Sequence, residues 1–317
     1  PIYTGAFSRL MLYPDPLEQE YPFKIETNTK KDCLDSDFQK LYQNSVLERK
    51  HPVNIEQNNN DTKKETTFCY RKIKNILKKY IINNDKEQKT LIKERKNNET
   101  NQNIFELNYF LLLLHYQPEA SSRPLGGEFG DQLDLVLTLS SCLPPNTFLV
   151  VKEHPLQGHQ PPFRYNGFYE KMVEKENVVL AGDKLGTHDL AEKSLGVISL
   201  TGSALLEYAM LGKPGIAMGT TPLSRCDGIY HPVTEKDLHN ILSGIAFHSL
   251  AGASQDDILR FFHWLQDHSI KGYLDPYKDP DLTNFITHEQ NINNISNVLL
   301  EHITKYLMDQ KAYDSSL

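Results

Sequence analysis

Between Tyr109 and Met218 the chain repeats one pattern: a short apolar run, a break, one helix-length segment, a break, and another apolar run. Tyr109-Phe110-Leu111-Leu112-Leu113-Leu114 shows no alternation of polar and apolar residues, so as a strand it must be covered on both faces. Further strand-length runs are expected at 147–152, 177–181, 196–200 and 214–218. Helices are expected between them at 129–142, 168–175 and 187–194, and after Ser203. Leu133, Val136, Leu137 and Ser140 form the inward stripe of the first helix, and Leu143-Pro144-Pro145-Asn146 ends it. Thr187 is expected to cap the third, with Asp189 in its first turn. Strands alternating with single helices predict an α/β fold with a parallel sheet and helices on both faces. Such sheets take ligands outside the carboxyl ends of their strands.

Around this segment the sequence changes character. Residues 1–30 read as irregular, with Tyr13-Pro14-Asp15-Pro16 and Tyr21-Pro22 as turn or extended signals. Residues 31–104 are rich in Asn, Lys, Glu and Gln. Within them, 68–82 carries Ile73, Ile76, Leu77, Tyr80 and Ile81 at helical spacing, with Lys and Arg opposite. Two readings stay open: a basic amphipathic helix for an anionic membrane surface, or a solvated helix docked on the protein body. After 235, helices are expected at 237–247, 256–266 and 292–308, with a break at Pro276–Pro280. The chain therefore divides into 1–107, a partial amino-terminal domain with a low-complexity linker, 108–290, a Rossmann-like domain, and a carboxyl-terminal helix at 291–317.

Bulk properties exclude several classes. A chain of 317 residues with net charge -7 does not suggest a nucleic-acid protein. Its longest apolar run is too short to span a bilayer, and no charged-then-apolar leader is present. The first residue is Pro1, which reads as a processed chain or a fragment of a longer reading frame. Cys33, Cys69, Cys142 and Cys226 are scattered without metal-ligand spacing and read as reduced thiols of a cytoplasmic protein.

Three expected strand ends carry chemistry-bearing residues, and in a parallel sheet all three open on one side. The first is His115-Tyr116-Gln117-Pro118-Glu119, where Glu119 either grips a sugar hydroxyl or caps a turn. The second is Lys152-Glu153-His154-Pro155. His154 can donate a hydrogen bond or a positive charge to a phosphate, while Lys152 supports the same anion or pairs with Glu153. The third is Thr201-Gly202-Ser203-Ala204, a polar turn before a helix that Gly212 and Pro214 close. Unpartnered helix N–H groups and roughly half a positive charge favour an anion there. The plainer reading is that Ser203 or Thr201 caps the helix. Glu207 falls on the same helical face as Ser203 and can accept from ribose hydroxyls. Arg164 is a further phosphate candidate, and Asp227-Gly228 with His231-Pro232 forms a second polar cluster that reads equally well as a turn.

Gln117-Pro118-Glu119, Lys152-Glu153-His154-Pro155, and Thr201-Gly202-Ser203-Ala204 with Glu207 and Gly212-Lys213-Pro214 together resemble the capsule polysaccharide biosynthesis family. That family is similar to GT-B glycosyltransferases, including capsule-linker Kdo transferases and bacterial polysialyltransferases. The likeness covers 108–235, the carboxyl-terminal domain of a GT-B enzyme, while the amino-terminal domain is incomplete or divergent. It implies an inverting, metal-independent glycosyltransferase with a CMP-activated sugar as donor substrate and no cofactor. His154 and Ser203 would hold the CMP phosphate. The acceptor would be a lipid-linked saccharide or growing polysaccharide, with peripheral association at the inner membrane. The family's acidic catalytic base has no match here, and the stretch before Pro1 is one place for it. Two alternatives stand beside this: a CDP-glycerol-type polyol phosphotransferase, whose His-Pro pair looks the same, and a non-catalytic subunit of capsule assembly or export.

Overall fold

The computed structural model describes residues 2–3, 9–11, 34–35, 38–39, 42–47, 89–100, 103–117, 122–155, 157, 164–272 and 287–314. The expected helix at 68–82, Glu119, Cys33, Cys69, most of 1–30 and the break at Pro276–Pro280 lie outside the described residues. The chain forms two compact units, one of Tyr42–Ile258 and one of Pro1–Leu41 with Leu259–Leu317.

The smaller unit contains a three-stranded antiparallel sheet of β1 (Ile2–Tyr3), β2 (Arg9–Met11) and β10 (Ile270–Lys271), in which β2 is central. The long carboxyl-terminal helix His288–Asp314 also belongs to it.

The larger unit is built on a seven-stranded sheet, parallel at every pairing. Its strands in chain order are β3 (Glu99–Thr100), β4 (Tyr109–Leu113), β5 (Phe148–Lys152), β6 (Val178–Ala181), β7 (Val197–Ser199), β8 (Gly215–Ala217) and β9 (Ile229–Tyr230). In space they run β3-β6-β5-β4-β7-β8-β9. From β4 the chain steps outward through β5 to β6, then returns to place β7 on the other flank of β4. This is the doubly wound, Rossmann-type α/β architecture that the sequence predicts. The sheet nonetheless starts before residue 108. Edge strand β3, with the helix at 89–98 just ahead of it, comes from the Asn- and Lys-rich stretch, whose composition hides a two-residue strand.

The continuous apolar runs do what their lack of alternation requires. Phe110 and Leu112 join one core, with Leu149, Val151 and Ile198; Tyr109 and Leu111 join the other, with Val150 and Val197. Each helix in the segment has a local reason for its limits. We label them α1 (89–98), α2 (Gln132–Cys142), α3 (Phe168–Val173), α4 (Thr187–Lys193), α5 (Ala204–Met210) and α6 (Glu235–Ala246). The Asp131 side chain caps α2 by accepting the Leu133 N–H at 3.0 Å. Thr234 and Asp237 form a reciprocal capping box on α6. Thr187 does not cap α4: it is the first helical residue, the cap position is Gly186, and the Asp189 carboxylate fills the space a Cβ on Gly186 would need. Helix α5 ends in a Schellman motif, with Gly212 N–H bonded to Ala209 O, Lys213 N–H to Tyr208 O, and Gly212 at φ +80°.

Candidate functional site

The order of the sheet reverses between β4 and β7, the position at which open α/β sheets take their ligands. His115 stands there, two residues past the end of β4 and only 8% exposed. Its Nε2 accepts the Thr201 backbone N–H at 3.2 Å and lies 3.0 Å from the Ser199 hydroxyl. An acceptor at Nε2 places the proton of the neutral ring on Nδ1. Burial, and after it the positive charges of His154 and Arg164, push this imidazole down to about 4. Its backbone is clamped as well. The His115 N–H donates to Gln132 Oε1 at 2.7 Å, and Gln132 Nε2 and Arg164 Nη2 donate back to the His115 carbonyl, each at 3.1 Å.

The loop after β5 joins this knot through a buried carboxylate. Glu153 accepts from Arg164 Nε at 3.1 Å and Nη2 at 3.0 Å, from the Tyr169 hydroxyl at 2.8 Å, and from the His154 backbone N–H at 2.7 Å. Despite complete burial, these donors hold its carboxyl below the ordinary carboxylate range, with the Arg164 charge the largest of the opposing effects. Arg164 also donates to the Gln117 side-chain oxygen, and the Gln117 N–H donates to Gln157 Oε1 at 2.9 Å. The loops after β4 and β5 are thus sewn together by one guanidinium and two glutamines. The half-buried His154 imidazole packs against Tyr116, ring centroids 5.7 Å apart.

The third element is the turn after β7. A Cβ on Gly202 would lie 2.8 Å from Ser199 Oγ and 3.4 Å from His115 Nε2, so glycine here is a condition of packing on the imidazole. Neither Ser203 nor Thr201 provides the expected side-chain cap of α5; the exposed Ser203 hydroxyl instead donates to Glu207 Oε1 at 3.1 Å. Helix α5 has seven residues, and its Leu205, Leu206 and Glu207 N–H groups already bond to the Gly202 and Ser203 carbonyls. An anion received by this turn must use the amides ahead of Leu205 and the hydroxyls.

Of the residues singled out in the sequence, Thr201, Gly202, Ser203, Ala204 and Glu207 thus share one turn and the helix it opens, and His115 connects that turn to the loop of His154 and the exposed Pro155. Lys152 is turned elsewhere. Its ammonium donates to the Gly182 carbonyl at 2.6 Å, within a charged group at the β3–β6 edge that also contains Arg95, Glu99 and Asp183. Arg164, not Lys152, pairs with Glu153, and that pairing makes Arg164 a buried strut instead of a phosphate ligand. In the second polar cluster, Gly228 adopts φ +88° in a turn and His231 Nδ1 lies 2.8 Å from the Ala217 carbonyl. Sequence reasoning placed His115 at a chemistry-bearing strand end but gave it no role, and it did not single out Ser199 or Gln132. The available signal was a polar residue interrupting, or closely following, a fully apolar strand.

No protein-family model matches the chain, and no curated protein matches its sequence. Among solved structures it is similar to the beta Kdo 2,7 transferase KpsC of Thermosulfurimonas dismutans, at 13% identity over 50% of this chain and 54% of that one, TM-score 0.32. It is also similar to a putative UDP-N-acetylglucosamine 2-epimerase from Listeria monocytogenes, at 17% identity over 52% and 44%, TM-score 0.32. A third is S. aureus MnaA in a co-structure with UDP, at 13% identity over 56% and 49%, TM-score 0.31. The chain spans about half the length of these structures. Likeness at this level assigns no activity.

Proposed function

We propose that a crevice at the ends of β4, β5 and β7 holds the phosphate of a CMP-activated sugar, and that the protein is a GT-B-type glycosyltransferase of capsular or surface polysaccharide synthesis. The observation that supports this reading is the knot at His115, which ties the loops after β4, β5 and β7 together; in this reading His154 and Ser203 are the groups that meet the ligand. Binding exchanges the Glu207 acceptor of the Ser203 hydroxyl for a phosphate oxygen. The His154 ring donates to the same group. Both then stabilise the charge that grows on the departing nucleotide as the glycosidic bond forms with inversion. With an imidazole, a hydroxyl and backbone amides in these roles, no divalent ion is required. Glu207 is left to accept from the ribose, and Pro155 limits the swing of the His154 loop.

The acceptor in this reading is a lipid-linked saccharide or a growing glycan, presented at the inner membrane face. Among the described residues no helix is long and apolar enough to cross a membrane, so contact with the bilayer would be peripheral or carried by other parts of the protein. Calorimetry with CMP tests the site. His154→Ala and Ser203→Ala are each expected to weaken binding by about 1–3 kcal/mol, the scale of a hydrogen bond to a charged group. Unchanged affinity in both variants removes the proposal. Competition of CMP-sugars against CDP-glycerol for the same site separates sugar transfer from phosphopolyol transfer.

A further inference from the structure

We propose that His115 is the positioning residue of this site: as a neutral ring it holds the Thr201 amide at Nε2 and so fixes the Thr201–Ser203 turn against the loop that carries His154. The contacts are those of a keystone. The imidazole has the turn after β7 on one side, through the Thr201 N–H at 3.2 Å and through Gly202, where an added Cβ would come within 3.4 Å of Nε2. Its main chain has α2 on the other side through Gln132, and the Glu153–Arg164 pair through its carbonyl. The ring therefore has no reason to touch a ligand in order to matter to one: moving it moves the amides and hydroxyls that would.

The device depends on protonation state. The charged and titratable groups that face the ring are His154, from the loop after β5, and Arg164, whose charge is shared with Glu153; Gln132 and Ser199 supply neutral contacts. An imidazolium has donors at both nitrogens and no lone pair for the Thr201 N–H. Burial and the two positive neighbours lower the ring from the usual 6.5 to about 4, so it is neutral at pH 7 and gains its proton only as pH falls through about 4. Below that point the amide loses its acceptor and the turn is released. A ring that served only to fill space would not make the turn sensitive to acid in this way.

The consequence for ligand rests on the nucleotide reading above, whereas the lock itself does not, and the experiment keeps them apart. Amide exchange at Thr201 and CMP affinity are measured for the full chain, for His115→Gln, which keeps an acceptor near the position of Nε2 without a titrating group, and for His115→Leu, which has none. At pH 7 the wild type and the Gln variant should protect the Thr201 amide about tenfold more than the Leu variant, and should bind CMP more tightly by a similar factor. Between about pH 5 and 3, across the protonation of His115 near 4, the wild type alone should lose its protection, relative to intrinsic exchange. The ratio of wild-type to Gln-variant affinity, in which titration of the phosphate cancels, should fall over the same range. Equal exchange in all three proteins overturns the proposal, and so does equal CMP affinity alongside unequal exchange. If the exchange pattern is as expected but none of the three binds CMP, the lock stands and the nucleotide reading fails.

Discussion

At the scale of the residue, the part of this molecule most costly to alter is the ion pair beneath the His154 loop. Glu153 and Arg164 each have side chains only 2% exposed. Removing one partner strands the other charge in a medium that cannot solvate it. Arg164→Met is expected to lower stability by about 3–5 kcal/mol in urea denaturation, and adding Glu153→Leu should recover much of that, because replacing a buried pair with apolar groups costs far less than breaking it. The pH dependence follows from the depressed carboxyl of Glu153. A carboxyl lower in the folded than in the unfolded chain stabilises above its unfolded value. That contribution fades as pH falls below about 4.5 through the still lower folded value, and Arg164→Met should abolish this part of the acid transition. The sequence pointed Arg164 toward a phosphate because a lone loop arginine advertises only its charge. Which way it turns depends on a carboxylate eleven positions back that the fold, not the spacing, delivers.

At the scale of the element, the two glycines that flank α5 do different work, and substitution should separate them. Gly212 holds φ +80° with open space around it, so Gly212→Ala pays only the left-handed backbone cost, about 1 kcal/mol of stability, and leaves CMP affinity unchanged. Gly202 packs against Ser199 and His115, so Gly202→Ala must displace the turn itself and is expected to weaken CMP binding about tenfold or more. Differential scanning calorimetry and CMP titration on both variants check the pair. Elements were legible where the physics is local. Apolar runs gave every central strand within a residue or two, and Gly212 with Pro214 marked the end of α5. They were illegible where the determinant lies far along the chain. The N–H groups at the start of α3 are taken by the Glu94 carboxylate, which accepts from Gly167 and Tyr169 at 2.9 Å across more than seventy residues. Likewise β3 exists because β6 offers it an edge, not because Glu99-Thr100 resembles a strand.

At the scale of the whole molecule, the reversal of strand order could be read from the alternation of strand and helix only as a class of fold. Which two strands meet at the reversal, and hence that His115 and Thr201 share a bond, is set by strand order, which local sequence does not carry. The joint between the sheet's two wings lies at that place. β4 meets β5 over five paired positions, but meets β7 over two, Leu111 with Val197 and Leu112 with Ile198. Backbone bonds from Leu195 N–H to the Tyr109 carbonyl at 2.8 Å and from Leu111 N–H to the Gly196 carbonyl at 3.0 Å extend this seam between the two wings of the sheet, and the proposed ligand would sit across its open end like a clasp on a book. Occupancy should therefore register as mechanical cohesion: saturating CMP to a hundred times its dissociation constant adds about 2.7 kcal/mol to the unfolding free energy. Amides of β7 should slow in hydrogen exchange before those of the outer strands do, making seam breathing a gauge of whether the protein is loaded.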